Sequence, residues 1–380
     1  MTKDSNPDLV GIIKERIREG GPISFRDFME LTLYHPEFGY YTSPGEKIGK
    51  EGDYYTSPHL TPIFGRLIGK QISEMARLLG VGELSIVEMG AGKGLLAADV
   101  LDFLKEEDKD FYGNVGYHII ELSNWLKTKQ RDALNEHSVL WHKSLDDLTT
   151  GIKGVFISNE LVDSFPVHLI IIKEGRLMEI FVDWAEGPCG VEGRFVETVK
   201  DPSTDALRDY FSELGVDLPD DYRTEVNLDA LKWIERIGDI LEKGFVITID
   251  YGYLSDEIYQ AYRSGGTLLC YHRHTASEDP LIRIGYQDIT SHVNFSALIN
   301  WGIKGGLGLT GITEQSHFLL NIGIEDYLNA IASESRDYRD YLKGILPVKN
   351  LFMPGMGETF KFLIQHKGMK MPSLKGFLSN

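Results

Sequence analysis

A glycine-rich segment that follows an acidic residue stands where a buried strand would meet a helix. Glu88 is followed by Gly90, Gly92 and Gly94, with strand-like residues before the segment and helix-like residues after it. Glycine at such a turn lets the backbone bend sharply and come close to a ligand. A dinucleotide fingerprint, GxGxxG, would need a third glycine at residue 95, which is leucine. The spacing therefore predicts a small-ligand site of another kind, and the alternative is a tight turn without a ligand.

Further acidic residues follow the next two predicted strands. The E-x-G-x-G-x-G spacing resembles that of class I S-adenosylmethionine-dependent methyltransferases. In that setting Glu88 accepts hydrogen bonds from the cofactor's ammonium group, and Glu121 holds both ribose hydroxyls. Asp146 and Asp147 either reach the exocyclic amine of the adenine or are surface acids in a loop. Acids suit a ligand with a sulfonium and an ammonium group, whereas they would repel a pyrophosphate.

The fourth predicted strand ends in a second group of polar residues, Asn159, Glu160 and Asp163. At the carboxyl end of a strand in an open α/β sheet, this group would lie next to the glycine turn. Glu160 and Asp163 are three residues apart, so both can project to one side of a turn. Their oxygens suit a guanidinium group, which has five donors and keeps its charge. The alternative is that Asn159 or Asp163 caps a following helix or turn.

The remaining candidate residues carry weaker signals. Asp250 ends a further predicted strand at the same sheet edge, either as a site residue or as a turn residue. His272, His274 and His292 lack the spacing of zinc ligands, so we interpret them as structural histidines and expect no metal site. The chain contains neither a GxSxG elbow nor a P-loop, which leaves hydrolase and kinase functions without support.

Alternating strands and helices must position these residues. From Leu84, short apolar runs are separated by helical stretches, which predicts βαβ units and a parallel sheet. The predicted strands are LSIVEMG, VGYHIIE, VLWHKS, GVFISNE and GFVITIDYG. The fifth strand follows an excursion from Val167 to Lys243, whose alternating segments predict a β-rich insertion that ends in a helix over residues 229–244.

The residues before Leu84 predict a helical region and a lid. Residues 7–34 predict two helices, the second capped by Ser24, and residues 61–80 predict an amphipathic helix that ends at Gly80. Between them, 28 residues rich in Gly, Pro, Ser and Tyr form a segment too long for an idle connector. The predicted domains are an N-terminal helical region and cofactor lid at 1–82, a core at 83–166 and 244–380, and an insertion at 167–243.

Composition and charge exclude several classes of protein. The 380 residues include 39 Lys and Arg against 57 Asp and Glu, and this net charge of −18 would repel nucleic acids and anionic membrane surfaces. Two cysteines, Cys189 and Cys270, cannot form a disulfide framework, which favours a reducing compartment. The N-terminal residues lack a secretory apolar core, and no apolar run is long enough to span a membrane. We therefore expect a cytoplasmic protein that binds no nucleic acid.

Seven motifs, in the correct order, resemble the MidA-like family over roughly residues 20–366. They are GDYYTSPHLTPIFG, EMGAGKG, ELSNWLKTKQ, NELVDSFPV, ITIDYGY, DITSHVNF and GETFKFL. The resemblance implies an α/β fold, the Rossmann-like class I methyltransferase fold with a seven-stranded, mostly parallel sheet. In that fold TFKFLIQHK would be the antiparallel strand near one edge. Mitochondrial members of this family are complex I assembly factors that symmetrically dimethylate an arginine of a complex I subunit.

The resemblance also implies roles for residues at matching positions. The predicted cofactor-binding residues are Thr56, Ser57, Pro58, Glu88, Gly90, Gly92, Gly94, Glu121, Asp146 and Asp147, with the first three folding over the cofactor. The predicted catalytic residues are Asn159, Glu160 and Asp163. The chain departs from the family pattern near the expected pocket mouth, at His59, Arg66, Ala91, Lys93, Leu161 and Val162. These departures bear on the identity of the substrate.

The leading functional hypothesis is an S-adenosyl-L-methionine-dependent methyltransferase that symmetrically dimethylates a protein arginine, with a respiratory complex I subunit as partner. One alternative is a non-catalytic assembly factor that retains the methyltransferase fold, and another is a methyltransferase for a different substrate. The insertion could form either a homodimer contact or a cradle for the substrate.

Overall fold

The computed structural model describes residues 4–49, 52–53, 55–80, 82–188 and 193–378, so Cys189 lies outside the described residues. The described strands are β1 (Ile23–Ser24), β2 (Leu84–Met89), β3 (Val115–Ile120), β4 (Val139–His142), β5 (Ile152–Asn159), β6 (His168–Lys173), β7 (Arg176–Ala185), β8 (Arg194–Lys200), β9 (Arg223–Val226), β10 (Leu241–Tyr253), β11 (Leu269–His272), β12 (Thr275–Ser277), β13 (Asp288–Thr290), β14 (Val293–Asn294), β15 (Gly308–Glu314) and β16 (Phe360–Lys367). The described α-helices are α1 (Pro7–Gly20), α2 (Phe25–Tyr34), α3 (Ser57–Leu60), α4 (Pro62–Leu79), α5 (Leu95–Glu107), α6 (Lys109–Tyr112), α7 (Asn124–Ala133), α8 (Ala206–Leu214), α9 (Leu228–Ile240), α10 (Ser255–Ile258), α11 (Phe295–Lys304), α12 (Gln315–Asn321), α13 (Ile324–Glu334), α14 (Tyr338–Phe352) and α15 (Met356–Thr359).

The chain divides into two compact units. The first, which we call the sheet unit, comprises Tyr55–Leu161, Ile234–Gly252 and Trp301–Asn380. The second, which we call the insertion unit, comprises Met1–Tyr54, Val162–Trp233 and Tyr253–Asn300.

A mixed sheet forms the centre of the sheet unit. Seven of its eight strands follow the order β15-β16-β10-β5-β2-β3-β4, and β14 pairs with β10 outside this row. The strands from β10 to β4 are parallel, while β16 is antiparallel to both of its neighbours. The predicted parallel strands and the antiparallel strand TFKFLIQHK near one edge are therefore confirmed, but the sheet has eight strands where seven were predicted. Because Met89 pairs with Ile120 and Ser158, the segments that follow β2, β3 and β5 begin at one edge of the sheet.

Close packing of α4 against α5 holds the start of α5 in place. Phe64, Leu67 and Ile68 are fully buried in this core, and each such side chain contributes about 1.5–3 kcal/mol. A Cβ atom on Gly65 would lie 2.3 Å from Cβ of Asp99, so only glycine allows the two helices to approach this closely. As a result, the segment that leads into α5 has a rigid support.

The insertion unit combines the two N-terminal helices with the β-rich segment. Its larger sheet has the order β1-β7-β6-β9, with β8 also paired to β7. Ser24 Oγ accepts a hydrogen bond from the backbone nitrogen of Asp27, 3.1 Å away, and caps α2 as predicted. A second, three-stranded sheet has the order β12-β11-β13. The β-rich insertion and both predicted N-terminal helices are therefore present.

The compact units group the chain differently from the predicted domain boundaries. Ile23 pairs with Val182, so the N-terminal helices share one core with the insertion, and residues 253–300 also belong to this unit. Helix α4, which was predicted to belong to the N-terminal region, is part of the sheet unit. The physical reason is that pairing of β1 with β7 joins segments that lie far apart in the sequence.

None of the described helices combines the length and apolar composition that a membrane crossing requires.

Candidate functional site

The glycine segment makes a turn that side chains larger than hydrogen would disturb. Gly90, Gly92 and Gly94 have φ angles of 74°, 53° and 82°, in the left-handed region that favours glycine. A Cβ atom on Gly90 would also lie 2.8 Å from Cδ1 of Leu161, too close for a relaxed contact. The turn ends at Gly94, directly before the first residue of α5, where backbone N–H groups are unsatisfied within the helix. This is a backbone cradle at the carboxyl edge of the sheet.

Glu88 is a buried carboxylate on the strand that leads into the cradle. It is 2% exposed, and the hydroxyl of Tyr117 donates a hydrogen bond to its Oε2 at 2.6 Å. Burial raises the pKa of Glu88 to about 7, and the charge of Glu121 adds to this effect, while the Tyr117 hydrogen bond opposes it. A cationic group placed here would therefore stabilise the ionised form.

Glu121 follows β3 and is held by neutral donors. Its Oε1 accepts a hydrogen bond from the backbone nitrogen of Ser123 at 2.8 Å, and its Oε2 accepts one from Nε2 of Gln130 at 2.8 Å. Burial raises the pKa of Glu121, although these hydrogen bonds counteract the rise. Each carboxylate oxygen retains acceptor capacity for a further donor, such as a ligand hydroxyl.

Asp146 and Asp147 lie in a short 3-10 turn after β4, on the protein surface. Asp147 Oδ2 accepts hydrogen bonds from the backbone nitrogens of Lys143 and Ser144, at 2.8 and 3.2 Å, and these contacts lower its pKa. Asp146 is 78% exposed and forms an ion pair with Arg236 at 2.9 Å. These contacts fit the surface-acid alternative, and the adenine contact stays a prediction.

Asn159 and Glu160 form a constrained pair directly after β5. Glu160 has φ 51°, which is unusual for a residue with a side chain and typical of strained functional positions. Its Oε1 accepts hydrogen bonds from Nδ2 of Asn159 and from the backbone nitrogen of Ser57, both at 3.1 Å. Asn159 Oδ1 is buried and has no hydrogen-bond donor among the described residues. This buried acceptor leaves a place for a donor from a ligand.

Asp250 supports this turn from the next strand. It is fully buried, and its Oδ2 accepts a hydrogen bond from the backbone nitrogen of Leu161 at 3.2 Å. Its Oδ1 accepts a second from the backbone nitrogen of Tyr251 at 2.9 Å. These contacts favour the turn-residue interpretation of Asp250.

The predicted covering segment reaches the same pair. Ser57 begins α3, with Pro58 in its first turn, and Ser57 is fully buried. Thr56 Oγ1 lies 2.7 Å from Nδ1 of His59, which ties the start of this turn together. The hydrogen bond from Ser57 to Glu160 connects the segment to the sheet edge, while its role in covering a cofactor stays a prediction.

Asp163 lies in the insertion unit, because the division between the units falls between Leu161 and Val162. It is 6% exposed in a 3-10 turn, Val162–Ser164, and its backbone oxygen accepts a hydrogen bond from Ser291 at 2.9 Å. A joint site of Asp163 with Glu160 stays a prediction.

The three histidines, His272, His274 and His292, lie in the insertion unit. His272 Nδ1 lies 2.7 Å from the backbone oxygen of Tyr286, and the backbone nitrogen of His274 donates to the backbone oxygen of Asp53 at 3.1 Å. Burial, followed by the charge of Arg263, lowers the pKa of His292 to about 4. His292 is therefore neutral at physiological pH.

Two residues of the site were missed by the sequence analysis. Tyr117 and Gln130 each contact one of the predicted cofactor acids, Glu88 and Glu121. Tyr117 lies two residues before Ile119 in β3, so the two side chains share one face of the strand. This alternation is the signal that could have revealed Tyr117. Gln130 is the last residue of the ELSNWLKTKQ motif, and that membership was its signal in the sequence.

Comparisons with known proteins show the family to which this chain is related. A family model described as "Putative S-adenosyl-L-methionine-dependent methyltransferase" matches residues 67–313. The mitochondrial protein arginine methyltransferase NDUFAF7 homolog of Caenorhabditis elegans is 30% identical, over 93% of this chain and 85% of its own length. The mitochondrial protein arginine methyltransferase NDUFAF7 of Homo sapiens is 26% identical, over 93% of this chain and 83% of its own length.

A solved structure agrees with the sequence relatives. A protein from Burkholderia thailandensis, crystallised with S-adenosyl-homocysteine bound, superimposes with a TM-score of 0.86 and 31% identity. The similarity covers 98% of this chain and 96% of that chain. The resemblance predicted from the seven motifs is thereby confirmed.

Proposed function

This chain belongs to the family of S-adenosyl-L-methionine-dependent methyltransferases whose model matches residues 67–313, and we propose that its substrate is an arginine side chain of a protein. The names of the relatives from Caenorhabditis elegans and Homo sapiens support arginine as the acceptor. The observation that carries the proposal is the pair Asn159–Glu160. The pair combines a carboxylate with a buried amide oxygen that accepts no hydrogen bond from any described residue.

The residues of the sheet unit fit the cofactor. The glycine cradle would admit its amino-acid portion close to the backbone, Glu88 would accept hydrogen bonds from its ammonium group, and Glu121 would accept them from its ribose hydroxyls. Both carboxylates are buried, so cationic or hydroxyl donors would compensate their desolvation. When bound, S-adenosylmethionine supplies a methyl group activated by the adjoining sulfonium.

Asn159 and Glu160 would then orient the acceptor. A guanidinium group is planar and stays protonated, and one nitrogen must gain nucleophilic character before it can accept a methyl group. The Glu160 carboxylate would accept hydrogen bonds from the guanidinium and take up the proton that the methylated nitrogen releases. Asn159 Oδ1 would accept a further guanidinium hydrogen bond and restrict the rotation of the group.

The left-handed conformation of Glu160 contributes to this role. The backbone nitrogen of Glu160 donates to the oxygen of Ile249 at 2.9 Å, and Asp250 holds the next residue, Leu161. These contacts stabilise a conformation that a residue with a side chain rarely adopts. Glu160 is therefore pre-oriented, and less of its motion has to be arrested when an acceptor binds.

A methylation assay with a matched variant tests the proposal. The full chain would be incubated with S-adenosylmethionine carrying a labelled methyl group and extract from cells that lack the protein, followed by mass spectrometry of the labelled peptides. We expect arginine peptides heavier by two methylene groups, and Glu160→Gln should lower the rate by about 100-fold or more, because it removes the proton acceptor. Glu242→Gln, in a half-exposed ion pair with Lys153, is the control and should keep the rate.

Other outcomes point to other functions. Labelling of a different side chain or of a small molecule would identify a methyltransferase for another substrate. Absence of labelling by the wild-type protein, together with intact partner assembly, would support the non-catalytic assembly role. Binding of S-adenosyl-homocysteine that is unchanged in Glu160→Gln would confirm that the variant retains its fold.

Two finer parts of the proposal are which guanidinium nitrogens are methylated and which protein is the partner. The resemblance to the MidA-like family supports symmetric dimethylation, one methyl group on each terminal nitrogen, and a respiratory complex I subunit as the partner. Fragmentation of the labelled peptide distinguishes symmetric from asymmetric dimethylarginine. A cytoplasmic location and a homodimer stay predictions from the sequence.

A further inference from the structure

Gln130 is a buried polar residue on a helix whose other residues are less buried. It is the only fully buried residue of α7, and its side chain carries a polar amide into the interior. Burial of an amide costs free energy unless each of its polar atoms finds a partner. A hydrophobic side chain would avoid that cost, so the contacts of this amide need a reason.

The amide of Gln130 joins three separate segments of the sheet unit. Nε2 donates to the backbone oxygen of Gly92 at 2.9 Å and to Oε2 of Glu121 at 2.8 Å. Oε1 accepts a hydrogen bond from Nε1 of Trp141 on β4 at 3.0 Å. One side chain therefore connects the glycine cradle, the acid after β3 and the next strand.

Trp141 determines which way the amide points. An indole nitrogen can donate but cannot accept a hydrogen bond, so the amide oxygen must face it. The two N–H groups of the amide then face the two acceptors, Gly92 and Glu121. Rotation of the amide by a half turn would place an oxygen against a carbonyl and a carboxylate, which is repulsive.

The carboxylate of Glu121 is consequently fixed in its plane. Gln130 holds Oε2 and the backbone nitrogen of Ser123 holds Oε1, so the group cannot rotate without losing a hydrogen bond. A carboxylate that accepts two hydroxyls at once needs this fixed orientation. Gly94 packs closely against Gln130, since a Cβ atom on Gly94 would lie 3.3 Å from Cα of Gln130.

We propose that Gln130 is a positioning residue that locks Glu121 and the glycine cradle into the geometry required to grip the ribose of the cofactor. This inference rests on the assignment of Glu121 to the ribose hydroxyls. Gln130 itself touches no ligand in this role and acts through Glu121.

Binding of a cofactor product and its deoxy counterpart separates positioning from folding. The affinities of the full chain for S-adenosyl-homocysteine and for its 2′-deoxy analogue would be measured by calorimetry. The wild type should prefer the hydroxylated ligand by about 10- to 100-fold, because a hydrogen bond to a charged group is lost in the analogue. In Gln130→Met the preference should shrink to about threefold or less, since the carboxylate is free to turn.

A matched control removes a buried amide elsewhere. Gln315 is also fully buried in the sheet unit, and its Nε2 donates to the backbone oxygen of Leu351 at 2.7 Å. Gln315→Met should lower stability but keep the full preference for the ribose hydroxyl. If Gln130→Met does not fold, Trp141→Phe replaces it, because loss of the indole donor lets the amide turn and should reduce the preference.

The possible results are distinct. A full preference in a folded Gln130→Met or, failing that, in Trp141→Phe would overturn the inference. No preference in the wild type would overturn both the ribose assignment of Glu121 and the role of Gln130, while arginine methylation would remain testable in the labelling assay. A preference lost in the Gln130 variant and kept in Gln315→Met would support the inference.

Discussion

Glu121 and Asp147 both follow strands at the same edge of one sheet, yet the protein places their carboxylates in opposite environments. Glu121 is 8% exposed, and burial raises its pKa. Asp147 lies at the surface, where backbone N–H groups of Lys143 and then Ser144 lower its pKa. An exposed carboxylate that already accepts hydrogen bonds from its own turn is stabilised little by a ligand. A buried carboxylate, in contrast, is stabilised by each further hydrogen-bond donor. Burial, more than position in the sequence, therefore distinguishes the candidate cofactor acids.

The largest expected effect comes from removing the buried acid. Glu121→Ala should weaken binding of S-adenosyl-homocysteine by about 100-fold or more, because two charge-assisted hydrogen bonds are lost and each is worth roughly 1.5–3 kcal/mol. Calorimetry measures the change, with Asp147→Ala as the exposed counterpart. A loss of affinity of less than about threefold in Glu121→Ala would contradict the view that burial distinguishes Glu121 from Asp147 as a cofactor acid.

Glu88 should produce a pH dependence of intermediate size. Its pKa in the folded protein is about 7, above its ordinary value of 4.5, so between these pH values the folded state holds a proton that the unfolded state releases. The stability from this group is fully present below pH 4.5 and is lost as the pH rises through about 7. The free energy of unfolding of the wild type and of Glu88→Gln, measured in urea across this pH range, gives the contribution of Glu88. The two proteins should show the same pH dependence if burial does not raise the pKa.

Ligand binding should follow the opposite direction with pH. The ionised form of Glu88 attracts an ammonium group, so the affinity for S-adenosyl-homocysteine should increase as the pH rises through about 7. Glu88→Gln should bind more weakly and lose this dependence. An unchanged pH profile in the variant would show that Glu88 does not meet the ammonium group.

The smallest effect is expected at the exposed acids. Asp146→Asn breaks a surface ion pair with Arg236, a type of contact that contributes only about 0–1 kcal/mol. The affinity for S-adenosyl-homocysteine should therefore change by about threefold or less in the same calorimetric assay. A tenfold loss would instead indicate that Asp146 reaches the adenine.

Local patterns predicted much of the fold. The strands before Gly90 and Glu160, the Ser24 cap and the end of α4 at Gly80 all follow from short-range preferences, and the structure contains each of them. One predicted helix is present but ends earlier than expected, because a distant partner intervenes. The helix expected over residues 229–244 ends at Ile240, because Leu241 begins β10 and pairs with Ile152.

Other elements depended on backbone geometry that periodicity does not reveal. The run LSDEIYQAYRS has a helical pattern, but only Ser255–Ile258 is an α-helix, since Gln260 adopts an extended conformation and a 3-10 turn follows. Likewise, β1 is only two residues long, and its pairing with Val182 places the N-terminal helices in the insertion unit. Such pairings join residues too far apart for any local pattern.

The sequence by itself determined the glycine turn, the alternating strands and helices that flank it and the family of the protein. These features rest on backbone preferences and on the spacing of a few residue types, which are local properties of the chain. Tertiary structure alone decided that Glu88 and Glu121 are buried, that Asp147 is exposed, and that Gln130 connects Glu121 to the cradle. Desolvation and hydrogen-bond partners depend on segments brought together by folding, so they become defined only in three dimensions.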